Sequence, residues 1–371
     1  MIRLLLALAA GGAAASAQTS LPPLPAPQQV PAPAPATDQP YAPQALMPGG
    51  VVVPLYPPNS PYLRADKIRE PEKYIFWGPT GEVGAVIHIH NPSIEFHPGQ
   101  SQLNTGACII LAPGGGHKTL NVGPEGAEPA EFFYNYGIST VILRNRLRSD
   151  GYEPTVDGVN DALQAIKLVR AHAREWHLDP HKIGIMGFSA GAELAAAASL
   201  FSHDFDRKND VPGNPLAGVS SRPDFVGIIY PGPSPFANGR TVPIPRDMPP
   251  VFFACATWGD WIHAIWATEF FTALLKDGVP NIEMHLYARG HHPGDKVPPG
   301  EPPSTGGMTD RGFIAYGTWP QRFLDWFRDL GYFGPAGAET QADKDVAANL
   351  HRVKRSALWH PPHASGQRLA Q

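Results

Sequence analysis

The sequence predicts an α/β domain, with a mostly parallel central sheet covered by helices on both faces. Three observations carry this. Short apolar runs recur at residues 107–111, 138–143, 182–186, 225–230, 251–256 and 282–287, and each reads as a buried strand. Helical patterns stand between most of them. Residues 157–176 carry Val159, Ala162, Ile166, Leu168, Val169 and Ala173 at amphipathic spacing, and residues 264–276 turn Ile265, Phe270, Phe271, Leu274 and Leu275 inward. Glycine and proline mark strand ends, as in Pro113-Gly114-Gly115-Gly116 and Pro231-Gly232.

At the N-terminus, Met1-Ile2-Arg3 precedes an apolar run from Leu4 to Ala14 and then Ala15-Ser16-Ala17. A charged start, an apolar run too short to cross a bilayer and an A-x-A end predict a signal peptide over residues 1–17, and hence a secreted or periplasmic protein. No later stretch is long and apolar enough for a membrane span. Residues 18–62 hold 14 prolines, a composition suited to extended polyproline and not to a packed core, so a disordered linker is expected there. The folded domain is expected over residues 63–334. A flexible tail follows over 335–371, with one short helix near 342–355.

Lys and Arg number 29 against 33 Asp and Glu, with no basic patch, which argues against nucleic acid as a partner. Cys108 and Cys255 each lie inside a strand-like run, so two buried free thiols are expected in preference to a disulfide. The tail histidines His351, His360 and His363 are too irregularly placed for a metal site.

Within the domain, residues 92–97 read as an outer strand. After the strand at 107–111, three consecutive glycines offer no side chains to pack. They form either a flexible turn or a loop whose amides hold an oxygen that becomes negative. Residues 129–136 look helical. The strand at 138–143 ends in Arg144-Asn145-Arg146, two arginines that either anchor loops around a pocket or make surface salt bridges.

The strand at 182–186 runs into Gly187-Phe188-Ser189-Ala190-Gly191 and then an Ala-rich helix. The pentapeptide is common by chance. Between a strand and a helix, however, Ser189 must take a strained backbone that projects its hydroxyl, and only residues as small as Gly187 and Gly191 leave room for their neighbours. That is the arrangement of an acyl-transfer nucleophile. Residues 202–221 read as a polar loop, and 233–250 as a proline-broken connection placed where a pocket wall would stand. The strand at 251–256 leads to Thr257-Trp258-Gly259-Asp260-Trp261, which puts Asp260 where an acid partner belongs. The strand at 282–287 leads to Gly290-His291-His292-Pro293, where one histidine is positioned as general base. Residues 318–330 form the closing helix, capped by Gly331.

Nucleophile, acid and base in this chain order agree with the α/β-hydrolase arrangement and with neither the chymotrypsin nor the subtilisin order. The expected oxyanion donors are the amides of Ala190 and of Gly115 or Gly116. Residues 92–330 resemble the esterase and lipase branch of α/β hydrolases, in particular acetyl xylan esterase-like and feruloyl esterase-like (BD-FAE-like) enzymes. The resemblance rests on Pro113-Gly-Gly-Gly116, Glu125-Gly126, Gly137-Ile138, Gly187-Phe-Ser-Ala-Gly191, Ser221-Arg-Pro-Asp-Phe225, Tyr230-Pro231, Trp258-Gly-Asp260 and Gly290-His291.

It implies a serine ester hydrolase that removes acetyl or other small acyl groups from sugar hydroxyls without cofactor or metal, with a small-molecule or polysaccharide ester as its partner. It also implies His291, directly after the glycine, as the base beside Ser189 and Asp260. The chain departs from the family at Gly191-Ala192-Glu193-Leu194, at Asn145 and at His292-Pro293, all of which bear on the pocket walls. Trp258 and Trp261 are candidates for stacking on a sugar, or for simple packing, and His117 and Glu193 are further candidate substrate contacts. A feruloyl or general short-chain carboxylesterase is the alternative. A peptidase of this fold would commonly bring a β-propeller or a large lid, and a lipase a broad apolar lid, for which residues 233–250 are too short.

Overall fold

The computed structural model describes residues 21, 24, 39–77, 81–301, 312–352 and 354. The expected signal peptide lies outside the described residues, as does most of the leader before residue 39. The main sheet has eight strands, in spatial order β1 (Val51–Pro54), β4 (Ser93–His97), β6 (Ser139–Arg144), β5 (Cys108–Ala112), β7 (Ile183–Phe188), β8 (Val226–Ile229), β9 (Val251–Trp258) and β10 (Ile282–Arg289). β4 pairs antiparallel with both β1 and β6, and every pairing from β6 across to β10 is parallel. The strands β2 (Lys73–Trp77) and β3 (Glu82–Ile87) form a separate antiparallel pair.

The helices are α1 (Glu128–Tyr134), α2 (Val159–Ala171), α3 (Ala190–Asn209), α4 (Trp261–Asp277), α5 (Trp319–Asp329) and α6 (Gln341–Ala348). Successive strand residues point to opposite faces. On β9, Phe252 packs on Phe323 and Trp326 of α5, while Phe253 packs on Phe270 and Phe271 of α4. The sheet is therefore covered on both sides. Phe133 of α1 meets Phe323, which puts α1 beside α5. Cys108 and Cys255 are buried and free. They sit on β5 and β9, with β7 and β8 between, about 14 Å apart by strand spacing and too far for a bond.

The fold reaches further at both ends than its composition predicts. Residues 51–54, expected within a disordered linker, form the edge strand β1, and Leu46, Leu55 and Tyr56 are buried in the core. Extended backbone suits an edge strand as well as a polyproline segment. At the other end, α6 is fixed by a capping box in which Thr340 and Asp343 bond each other's backbone amides. Beyond it, Arg352 pairs with Asp277 at 2.9 Å, so the expected flexible tail is packed on the domain to that point. Helix α3 also runs to Asn209, into the expected polar loop, and Asp210-Val211-Pro212-Gly213 follows its end.

The two strand-end arginines make no surface salt bridges, because both are buried. Arg144 lies 3.0 Å from Glu72 and 3.5 Å from Glu95. Arg146 is bidentate to buried Asp161, Nε to Oδ2 at 3.0 Å and Nη2 to Oδ1 at 2.7 Å, and it reaches Asp157 at 3.1 Å. Removing either guanidinium would leave a carboxylate buried and uncompensated.

Candidate active site

Ser189 stands alone between the end of β7 and the first residue of α3, at φ 50°, ψ −119°. No side chain favours this conformation, and it persists because the surroundings leave the backbone no other course. A Cβ on Gly187 would lie 2.3 Å from the Gly191 carbonyl oxygen, and one on Gly191 would lie 1.9 Å from that of Ala112. From the adjoining loop, a Cβ on Gly114 would lie 2.8 Å from the Cβ of Ser189. The Ser189 amide donates to the Ile229 carbonyl at 3.0 Å, which ties the turn to β8.

The Ser189 Oγ is 2.9 Å from Nε2 of His292. Nδ1 of the same ring is 3.3 Å from Oδ2 of Asp260, a buried residue at the N-cap of α4. The histidine that meets the serine is thus His292 and not His291, which the resemblance implied. Consecutive side chains leave the strand-end loop in different directions. Nε2 of His291 lies 2.5 Å from Oε2 of Glu301. Gly259 passes so close to His291 that a Cβ there would fall 2.4 Å from Nδ1.

Sequence reasoning also passed over His263. It lies on the first turn of α4, three residues after Asp260, and its Nδ1 hydrogen-bonds Oδ1 of that carboxylate. Its ring stacks on His292 with centroids 3.7 Å apart and planes 10° apart. The i, i+3 spacing from Asp260 at a helix start was the signal that could have found it.

Gly115 (φ 122°), Gly116 (φ 62°) and His117 (φ 58°) take successive positive φ values, so the glycine loop is a fixed turn. Among the described residues, the amides of Gly115, Gly116 and Ala190 donate to no acceptor. The Gly114 amide is engaged by Oε2 of Glu125 at 2.7 Å, and Tyr230 Oη donates to Oε1 at 3.1 Å. Glu125 is buried, and desolvation pushes its carboxyl up to about 7 against those two hydrogen bonds.

This raised value makes a stability prediction. Between about pH 4.5 and 7 the folded protein holds the Glu125 proton while the unfolded chain has lost it, so folding loses stability as pH rises through that window. Glu125→Gln keeps an acceptor for Gly114 and carries no charge. Its melting temperature should match the wild type near pH 5 and exceed it at pH 8.5, by roughly 1–3 kcal/mol of stability. Equal melting curves at pH 8.5 would refute the assignment.

The BD-FAE family matches residues 97–220, a third of the chain that includes the glycine loop and the serine turn and stops before Asp260. The acetylxylan esterase of Xylanibacter ruminicola is 34% identical over 99 residues, which cover 26% of this chain and 20% of that protein. Endo-1,4-beta-xylanase B of Butyrivibrio fibrisolvens is 33% identical over 125 residues, covering 33% and 19%. The chain thus spans about a fifth of the length of these relatives. An acetyl ester-xyloside bifunctional hydrolase from Caldicellulosiruptor lactoaceticus superposes with a TM-score of 0.56 at 24% identity, covering 77% of this chain and 98% of that one. The carboxylesterase Cest-2923 from Lactobacillus plantarum WCFS1 gives 0.52 at 18%, covering 71% and 98%. At such identities the likeness is one of fold. The chain has the α/β-hydrolase fold, and its residues 97–220 are similar to the BD-FAE family.

His117 and Glu193 line a cavity of about 410 Å³ together with Leu194, Pro233 and Val242, and Ser189, Asp260 and His292 are not among its lining residues. The 233–250 connection therefore does supply a wall. Nε2 of His117 is buried and lies 3.4 Å from Oε2 of Glu193 without the alignment of a hydrogen bond. Trp258 and Trp261 flank Asp260 outside this cavity, 67% and 64% exposed, which excludes simple packing for both. Among the described residues, no helix is long and apolar enough to cross a membrane.

Proposed function

We propose that the protein is a serine carboxylic-ester hydrolase that removes acetyl or another small acyl group from a carbohydrate. Ser189 is the nucleophile, His292 the general base and Asp260 the group that orients it. One observation carries this reading: the Ser189 Oγ to His292 Nε2 contact at 2.9 Å, continued from Nδ1 to Asp260. His292 takes the serine proton as Oγ bonds to the acyl carbon, and the carbonyl oxygen gains charge beside the amides of Ala190 and of Gly115 or Gly116. His292 then returns the proton to the departing alcohol as the C–O bond breaks. Water activated by the same ring cleaves the acyl-enzyme. Every step uses protein groups and water. Support for acetyl and carbohydrate comes from the names of the relatives, and an exported location, argued from residues 1–17, belongs to the same proposal.

The match of residues 97–220 to the BD-FAE family favours a second reading, a feruloyl or general short-chain carboxylesterase. Acetate release from acetylated xylan, measured beside a series of acetyl, butyryl and feruloyl esters, separates the two. The first reading expects acetyl esters to be turned over fastest. Rapid feruloyl turnover without acetate release would replace it by the second, and inertness towards all of them would reject both.

A further inference from the structure

Asp260 serves two histidines at once. A triad needs only one. Nδ1 of His292 faces Oδ2 at 3.3 Å, Nδ1 of His263 faces Oδ1, and the stacked rings present both nitrogens to the same carboxylate. One donor atom from each of the three residues lies within 4.8 Å of the others. We propose that Asp260, His263 and His292 form a binding site for a divalent transition-metal ion such as Zn²⁺, and that occupancy switches the nucleophile off. The site itself stands on this geometry, whereas the switching rests on the proposed esterase function.

Two imidazoles and a carboxylate are a donor set that zinc takes in three-ligand sites, with the fourth position left to water. Bonds of about 2.0–2.2 Å place tetrahedral donors roughly 3.4 Å apart, so pairs within 4.8 Å of one another close by about 1.4 Å at most. The rings are also held. Tyr230 packs its ring edge-on against His292 at 5.4 Å, and Trp266 does the same to His263 at 5.2 Å. Asp260 is fixed where β9 passes into α4. To share one ion the two stacked rings tilt so that their Nδ1 lone pairs converge.

The consequence for His292 follows from its two nitrogens. While Nδ1 carries the ring proton and donates it to Asp260, Nε2 has a lone pair for the serine proton. A metal on Nδ1 takes the place of the ring proton, which moves to Nε2. Nε2 then donates to Ser189 Oγ and has no lone pair with which to deprotonate it. No proton or electron is lost in this exchange, and removing the metal restores the original tautomer.

The test uses Co²⁺ as a coloured probe with the full-length Ser189→Ala protein, which keeps all three ligands. One equivalent should bind at micromolar concentration with tetrahedral-type visible absorption, Zn²⁺ should displace it, and His263→Phe combined with Ser189→Ala should weaken binding at least 30-fold. His263→Gln serves the same purpose if the Phe variant melts early. In the wild type, the same Zn²⁺ concentrations should suppress hydrolysis of 4-nitrophenyl acetate, and EDTA should restore it. Absence of Co²⁺ uptake below millimolar, uptake indifferent to residue 263, or acceleration by Zn²⁺ would each overturn the proposal. A wild type inert on every ester would defeat the proposed function and leave the Co²⁺ result to judge the site.

Discussion

Alanine at position 292 should lower kcat on 4-nitrophenyl acetate by about four orders of magnitude or more, while alanine at 291 should change it by less than about tenfold. The two residues are neighbours and chemically identical, so the contrast isolates position. His292 meets Ser189 Oγ at 2.9 Å, and without it the serine has no acceptor for its proton. His291 is turned to Glu301 at 2.5 Å, where its loss removes a buried hydrogen-bond partner and lowers stability by roughly 1–3 kcal/mol. Steady-state kinetics and thermal melting on both variants separate these effects. A His291→Ala protein as inactive as His292→Ala, with its melting temperature intact, would return the base to residue 291.

Substitution of Ser189 should divorce activity from stability. Both Ser189→Ala and Ser189→Gly should cut kcat by about five to six orders of magnitude, since each removes the only atom able to form the acyl-enzyme. Their melting temperatures should differ. Alanine inherits the same positive φ of 50° and gains nothing from the exchange. Glycine relieves a strain of order 1–3 kcal/mol and gives back part of it through its freer unfolded chain, for a net stabilisation of about 1 kcal/mol. An inactive glycine variant that melts below the alanine variant would show that the turn stores no strain.

The strands from β5 to β9 could be read directly because strands buried on both faces must be largely apolar, and apolar runs are what a single sequence displays best. The serine turn was legible for a related reason. Gly187 is forced by Gly191 and Ala192 just after it and Gly191 by Ala112 at the end of β5, and both contacts leave a glycine written beside the serine. Arg144 and Arg146 were not legible as buried residues, since their partners Glu72, Glu95 and Asp161 come from other segments, and charge in a sequence says nothing about enclosure. The choice between His291 and His292 was hidden for a further reason. It depends on which way a loop turns after β10, and that turn is set by Gly259 and Glu301, from the preceding strand end and from ten residues downstream.

The edge strand β1 bears on how this protein can be trimmed. Composition invites a cut at residue 63, just behind the proline-rich stretch. Such a fragment would strip β4 of its outer neighbour and present an unpaired row of amides and carbonyls to any other chain. It would also deprive Glu95, fully buried, of the Leu46 and Met47 amides that reach it at 2.7 and 3.1 Å. A buried carboxylate that has lost two backbone donors, beside a bare strand edge, favours clumping over dissolution, so a fragment cut there would fail in the test tube for want of its rim, with the serine turn untouched.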